Sequence, residues 1–250
     1  MILNCMSKNL IGSLLEHYFI EELQKYIIII CLGNQLTDIP NIQGLKILSC
    51  GGNKLSSLPN IIGLQELYCD NNQLTEIPNI KGLHTLHCSY NKLTEIPNIK
   101  GLHELYCDNN QLTELPNIKG LHTLHCSYNQ LTEIPNIKGL QELFCADNQL
   151  TEIPNIKGLQ ELFCSGNQLT EIPDIIDLQE LFCHNNQYLF NFGDKIQRWM
   201  TYHKLKKECE YKFLLIDSLY FLNKDIKYLL KNELQKVYIL QFKKMVIIHT

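Results

Sequence analysis

Cys31, Cys50, Cys69, Cys88, Cys107, Cys126, Cys145, Cys164 and Cys183 stand nineteen residues apart without a slip. Only a tandem repeat keeps such spacing. A period of this length marks a solenoid, in which one supersecondary unit recurs and each copy buries its apolar face against its neighbours. Such a chain has no single globular centre, so its first and last units need caps.

The clearest copy, Leu64 to Gly82, reads LQELYCDNNQLTEIPNIKG. It recurs from Leu83, Leu102, Leu121, Leu140 and Leu159, and degraded from Leu178; weaker copies begin at Tyr26 and Leu45. These make nine coils over residues 26–189. Side chains alternate along a strand, so LxxLxC points Leu64, Leu67 and Cys69 inward and residues 66 and 68 outward. Asn72 turns the chain, and its equivalents in the other coils, such as Asn53 and Asn91, stack into a ladder that bonds neighbouring loops. Leu74, Ile77 and Ile80 bury the return segment. All eight prolines, Pro40 to Pro173, share one repeat position. Proline lacks an amide donor and extends the residue before it, so the return segment is expected to be extended or polyproline-like, with at most a turn of 3₁₀ helix. Gly82 and Gly101 are expected to close their coils at positive φ.

The pattern LxxLxCxxNxL followed by TEIPNIKG resembles the leucine-rich repeat family, over about two thirds of the chain. That resemblance implies a right-handed curved solenoid with one short parallel strand per coil on the concave face. Arg198 is the only arginine and Ala146 the only alanine, whereas Lys, Asn and Ile abound, a composition that suits an AT-rich genome. In composition and repeat style the chain also resembles leucine-rich repeat proteins of giant DNA viruses that infect protists.

Residues 7–25 carry Ile11, Leu14, Leu15, Tyr18, Phe19 and Leu23 at helical spacing, which predicts a helical N-terminal cap over residues 1–25. After Asn186 the repeat dissolves. Asp194 and Gln197 have capping-box spacing, and residues 190–250 are read as a helical C-terminal cap or tail. The net charge of −4 divides unevenly. Residues 1–189 carry ten basic and twenty acidic side chains, and residues 190–250 twelve and six. The basic segment supports an alternative reading, in which it recruits a partner or an acidic surface such as nucleic acid. No secretory signal or membrane-length apolar run is visible, so a cytoplasmic, non-secreted protein is expected, in the host cytoplasm if viral.

Three groups of side chains could carry chemistry. The inward cysteines are expected to form a reduced ladder, since in-register parallel neighbours suit disulfide geometry poorly. His84, His103 and His122 fall on consecutive strands and read as a pH-sensitive or hydrogen-bonding patch rather than a metal site. The outward position beside each cysteine gives a stripe of rings: Tyr68, His87, Tyr106, His125, Phe144, Phe163 and Phe182. Glu66, Glu104, Glu142 and Glu161 run beside it. An aromatic spine bordered by carboxylates suits protein recognition, because desolvated rings concentrate binding energy and acidic borders steer basic partners. Residues 196–199 depart from a calmodulin-binding IQ pattern at Thr201 and Tyr202, and Cys209 lacks a spaced His or Asp partner. No catalytic triad, P-loop, zinc-ligand set or nucleotide fingerprint occurs. The expected role is therefore non-catalytic. The solenoid binds a protein partner through its concave face, without a cofactor, small-molecule substrate, nucleic acid or membrane.

Overall fold

The computed structural model describes residues 1–175 and 177–186. The chain divides into two units, Met1–Tyr188 and Leu189–Thr250, and the described residues all lie in the first. The helices expected over residues 190–250 fall outside the described residues.

Each coil contributes one strand of three residues to the main sheet, because LxxLxC allows only three extended positions before the asparagine turn. The first unit opens with β1 (Ile2–Asn4) and β2 (Ile11–Ser13), followed by β3 (Ile28–Ile30), β4 (Gln35–Asp38) and β5 (Ile47–Ser49). The regular coils supply β6 (Glu66–Tyr68), β7 (Thr85–His87), β8 (Glu104–Tyr106) and β9 (Thr123–His125). The last three strands are β10 (Glu142–Phe144), β11 (Glu161–Phe163) and β12 (Glu180–Phe182). All but β2 and β4 join one ten-stranded sheet in chain order, and those two pair with each other. Pairing along the regular coils is parallel and in register, Leu67 opposite Leu86 and Leu86 opposite Leu105. Every inward position therefore stacks on its own copy. Leu64, Leu67, Cys69, Leu74, Ile77 and Ile80 are all buried, and the same set recurs coil after coil.

Among the described residues the return segments contain no helix. In the coil from Leu64 the amide of Ile80 donates to Pro78 O at 2.8 Å, a tight turn that helical backbone does not make. A second turn follows, in which Leu83 N donates to Ile80 O at 3.4 Å. Gly82 occupies its third position at φ +86, as a type II turn requires. Gly101 does the same one coil later, at φ +89.

The asparagines form the expected ladder. Asn110 Nδ2 donates to Cys107 O at 3.1 Å in its own coil and to Cys88 O at 3.0 Å in the coil before. Its Oδ1 accepts from Leu93 N, also in the preceding coil, at 3.0 Å. The same set recurs from Asn34 to Asn186. The unusual backbone falls one residue earlier than the ladder asparagine itself. Asn71, Tyr90, Asn109, Tyr128 and Asp147 have φ between +53 and +56, and Gly33, Gly52 and Gly166 sit at positive φ in the matching position.

The N-terminal segment corrects the sequence reading. Residues 1–25 are not a helical cap but an irregular extra coil. β1 pairs in parallel with β3 and extends the main sheet, and Cys5 is buried like the other ladder cysteines. Leu3-x-Cys5 is the repeat motif, Leu10 holds the position of Leu74, and Leu10 N donates to Asn34 Oδ1 at 3.0 Å. Helix is limited to a 3₁₀ turn, Leu14–Glu16, and one α turn, Ile20–Leu23. Gly12 at φ +79 and the pairing of Ile11–Ser13 with Gln35–Asp38 hold the preceding backbone extended. Of the apolar residues set at helical spacing, Leu14 and Leu23 are buried while Ile11, Leu15 and Phe19 face outward. The coil escapes a nineteen-residue search because Cys5 lies twenty-six residues before Cys31 and Lys8 stands in the asparagine position.

Candidate functional site

The outer face of the sheet carries the ring stripe. In-register pairing sets Tyr68 beside His87, His87 beside Tyr106 and Tyr106 beside His125. Their ring centroids lie 4.7, 4.0 and 4.4 Å apart. His125, Phe144, Phe163 and Phe182 continue the column at 4.0, 4.1 and 4.5 Å, with interplanar angles of 13°, 9° and 16°. The structure thus brings all seven rings into one continuous stack. Stacking covers their faces and leaves their edges outward. Six are half-buried and Phe182, at the end, is 43% exposed. Parallel strands gain stability from such pairs, so the stack supports the fold whatever else it does.

The glutamates stand on the same face, one position away along each strand. Glu142, Glu161 and Glu180 are directly opposite one another on consecutive strands. Partial burial, and then repulsion from its two neighbours, raises the pKa of Glu161 above the ordinary carboxylate value. Like charges in such register oppose the fold. Glu66 accepts a hydrogen bond from the Tyr68 hydroxyl at 2.9 Å, and Glu142 one from Thr123 Oγ1 at 3.4 Å. These donors are neutral and do not cancel the negative charge. Glu104, between Thr85 and Thr123, is exposed.

Beyond the rings a polar chain crosses four coils. Asp70 Oδ1 accepts from Ser89 N at 2.9 Å, Ser89 Oγ donates to Asp108 Oδ2 at 3.4 Å, and Asp108 Oδ1 accepts from Ser127 N at 2.7 Å. Burial raises the pKa of Asp70, opposed by its hydrogen bond from Ser89 and by His87. Burial lowers the pKa of His87 and His125 below the ordinary 6.5, against the pull of Asp70 and Glu104 on the first and of Asp108 and Glu142 on the second. The border of the face is marked by Tyr90 and Tyr128, which are 56% and 57% exposed. Both occupy left-handed backbone, which sequence reasoning missed. The signal was their alignment with Gly33, Gly52 and Gly166.

His84, His103 and His122 form a second, exposed stack with centroids 5.5 and 5.3 Å apart. His84 Nδ1 bonds to Gly101 O and His103 Nδ1 to Gly120 O, each at 3.2 Å. Opposite carbonyl oxygens these nitrogens carry the proton. Among the described residues no group of three or more His, Cys, Asp or Glu side chains could hold a metal ion. The ten described cysteines are free thiols. Burial raises the pKa of the inner ones, that of Cys50 up to about 12, which leaves them protonated and poor nucleophiles. Cys69 Sγ donates to His87 O at 3.2 Å, so the ladder thiols serve the stacking of coils.

A family model for leucine-rich repeats matches four times, at residues 62–101, 81–120, 119–158 and 138–177. Residues 62–177 thus match the leucine-rich repeat pattern. Solved structures agree. A leucine-rich repeat protein of Leptospira interrogans is 27% identical with a TM-score of 0.53, covering 66% of this chain and 56% of that one. YopM of Yersinia pestis, described as a leucine-rich effector protein, is 27% identical with a TM-score of 0.55, covering 64% and 54%. An internalin of Listeria monocytogenes, 22% identical with a TM-score of 0.53 over 65% and 62%, shares the fold. The chain thus spans little more than half the length of these structures. No curated protein matches it. Among the described residues no helix is long and apolar enough to cross a membrane.

Proposed function

We propose that the protein is a non-catalytic recognition module that binds a protein partner through the outer face of its sheet, on the concave side of the solenoid. One observation carries this reading. A continuous column of seven rings runs beside glutamates that repel one another and carry no compensating cation from the described chain. A fold alone has no use for that repulsion, whereas a basic partner relieves it. The exposed tyrosines on the border add apolar contact area where aromatic anchors concentrate binding energy. The thiol ladder suits a reducing compartment such as the cytoplasm.

The test is affinity capture from lysate with the intact protein and with the Tyr106→Ser, Phe144→Ser, Phe163→Ser triple variant, its fold checked by circular dichroism. Glu104→Gln combined with Glu142→Gln serves as a second variant that keeps the stack. A protein retained by the intact chain and lost by both variants supports the reading. Retention of the same proteins by both refutes it.

A further inference from the structure

The inside and the outside of this solenoid repeat at different lengths. Leucine and cysteine return every nineteen residues, but over four coils the outer face returns every thirty-eight. Glu66 and Glu104 lie two coils apart with Thr85 between them, and Tyr90 and Tyr128 lie two coils apart with Asn109 between them. Glu142 and Glu180 extend the glutamate series at the same interval, with Glu161 rather than threonine between them. Packing does not demand the longer period, since the core beneath it is indifferent. Nor does backbone comfort. In its left-handed position a tyrosine is strained where glycine or asparagine is not, and such strain persists chiefly at functional positions.

Neighbouring strands lie about 4.8 Å apart, so the outer face repeats every ~9.6 Å. A partner that reads it must present the same kind of group at that interval, on one side. An extended strand returns to one face every ~6.7 Å. An α-helix returns after seven residues, about 10.5 Å, and falls nearly 3 Å out of step over the three intervals from Glu66 to Glu180. A polyproline II helix returns every three residues, about 9.3 Å, which stays within ~1 Å of the backbone step over the same span and departs less than the α-helix from the tighter step of the stacked rings, whose centroids lie 4.0 to 4.7 Å apart.

We propose that this face binds a polyproline II segment with a lysine or arginine at every third residue, lying across the strands. Its cations stand over Glu66, Glu104, Glu142 and Glu180, and its prolines pack on Tyr90 and Tyr128. Charge complementarity supports the occupant, since residues 1–189 carry twenty acidic side chains against ten basic ones. Exposed aromatic rings are also what proline-rich segments dock on. The inference rests on the recognition role proposed above and names its partner's chemistry.

The test is fluorescence anisotropy on the full chain, with a labelled peptide of about five Pro-Pro-Lys triplets, fifteen or so residues that reach beyond the four glutamates. An isomer of the same composition with irregular lysine spacing and a helical peptide with lysine at every seventh residue complete the set. The regular triplet peptide is expected to bind at least about tenfold more tightly than either. Tyr90→Asn with Tyr128→Asn is expected to weaken it by about tenfold while raising resistance to urea, which separates lost binding from lost folding. Equal binding of the isomers, preference for the helical peptide, or unchanged affinity in the tyrosine variant overturns the proposal. If the triplet peptide fails while the ring and glutamate variants still lose a captured protein, this inference falls and the recognition role stands. If neither assay shows a difference, both fall.

Discussion

Tyr90 and Tyr128 place a bulky side chain where the turn before each ladder asparagine demands positive φ. Left-handed backbone costs an ordinary residue about 1–2 kcal/mol, and asparagine less. Tyr90→Asn, the residue that stands at 71 and 109, is therefore expected to raise stability by roughly 0.5–1 kcal/mol, read as a shift in urea midpoint at unchanged m-value. The ladder residue beside it behaves oppositely. Asn110 bonds three carbonyls, those of Cys88, Cys107 and Asp108, and the amide of Leu93, spread over two coils, from a buried side chain. Asn110→Ala leaves Leu93 N without a partner and takes from Cys88 O and Cys107 O one of the two asparagine bonds each accepts, and is expected to cost about 2–3 kcal/mol. Asn110→Asp should be no milder, because a carboxylate has no hydrogen to offer Cys88 O and Cys107 O. Equilibrium unfolding of the two variants checks both statements.

The ring stack is where the strands of the sheet become sensitive to pH. Burial lowers the pKa of His87 and His125 from 6.5, so the unfolded chain takes up protons that the folded stack refuses. Stability is therefore expected to fall as pH drops from about 7 through the ordinary histidine range. Asp70 and Glu161, raised from ordinary values of 3.8 and 4.5, act in the opposite sense. His87→Phe with His125→Phe keeps rings in the column, one between Tyr68 and Tyr106 and one between Tyr106 and Phe144, and should flatten the profile between about pH 7 and 5. Thermal melts across that range decide it. Much of this stack was legible in the sequence, because a period of nineteen makes every residue's neighbour known in advance. The N-terminal strands were not. Leu3 and Cys5 carry the motif, but the longer connection to Cys31 moves them out of phase, and apolar spacing at Leu14 and Leu23 mimics a helix that Gly12 and strand pairing prevent. The left-handed tyrosines were signalled only by their alignment with glycines in other coils, since tyrosine itself is uncommon at positive φ.

Across the whole unit, stability is a sum of coils and of contacts between adjacent coils. Deleting residues 102–139 joins a His87 strand to a Phe144 strand, a junction already made between His125 and Phe144. The shortened protein is expected to fold cooperatively, with an m-value reduced in keeping with the surface it no longer buries. Loss of cooperativity would contradict nearest-neighbour stacking. The ladder also has a direction. Each asparagine reaches back, as Asn91 does to Cys69 O and to Leu74 N, and completes the turn of the coil made before it. A coil leaving the ribosome therefore keeps an unfinished turn until seventeen more residues have emerged. Folding during synthesis trails elongation by about one coil, and a stalled chain always exposes one open turn at its growing end.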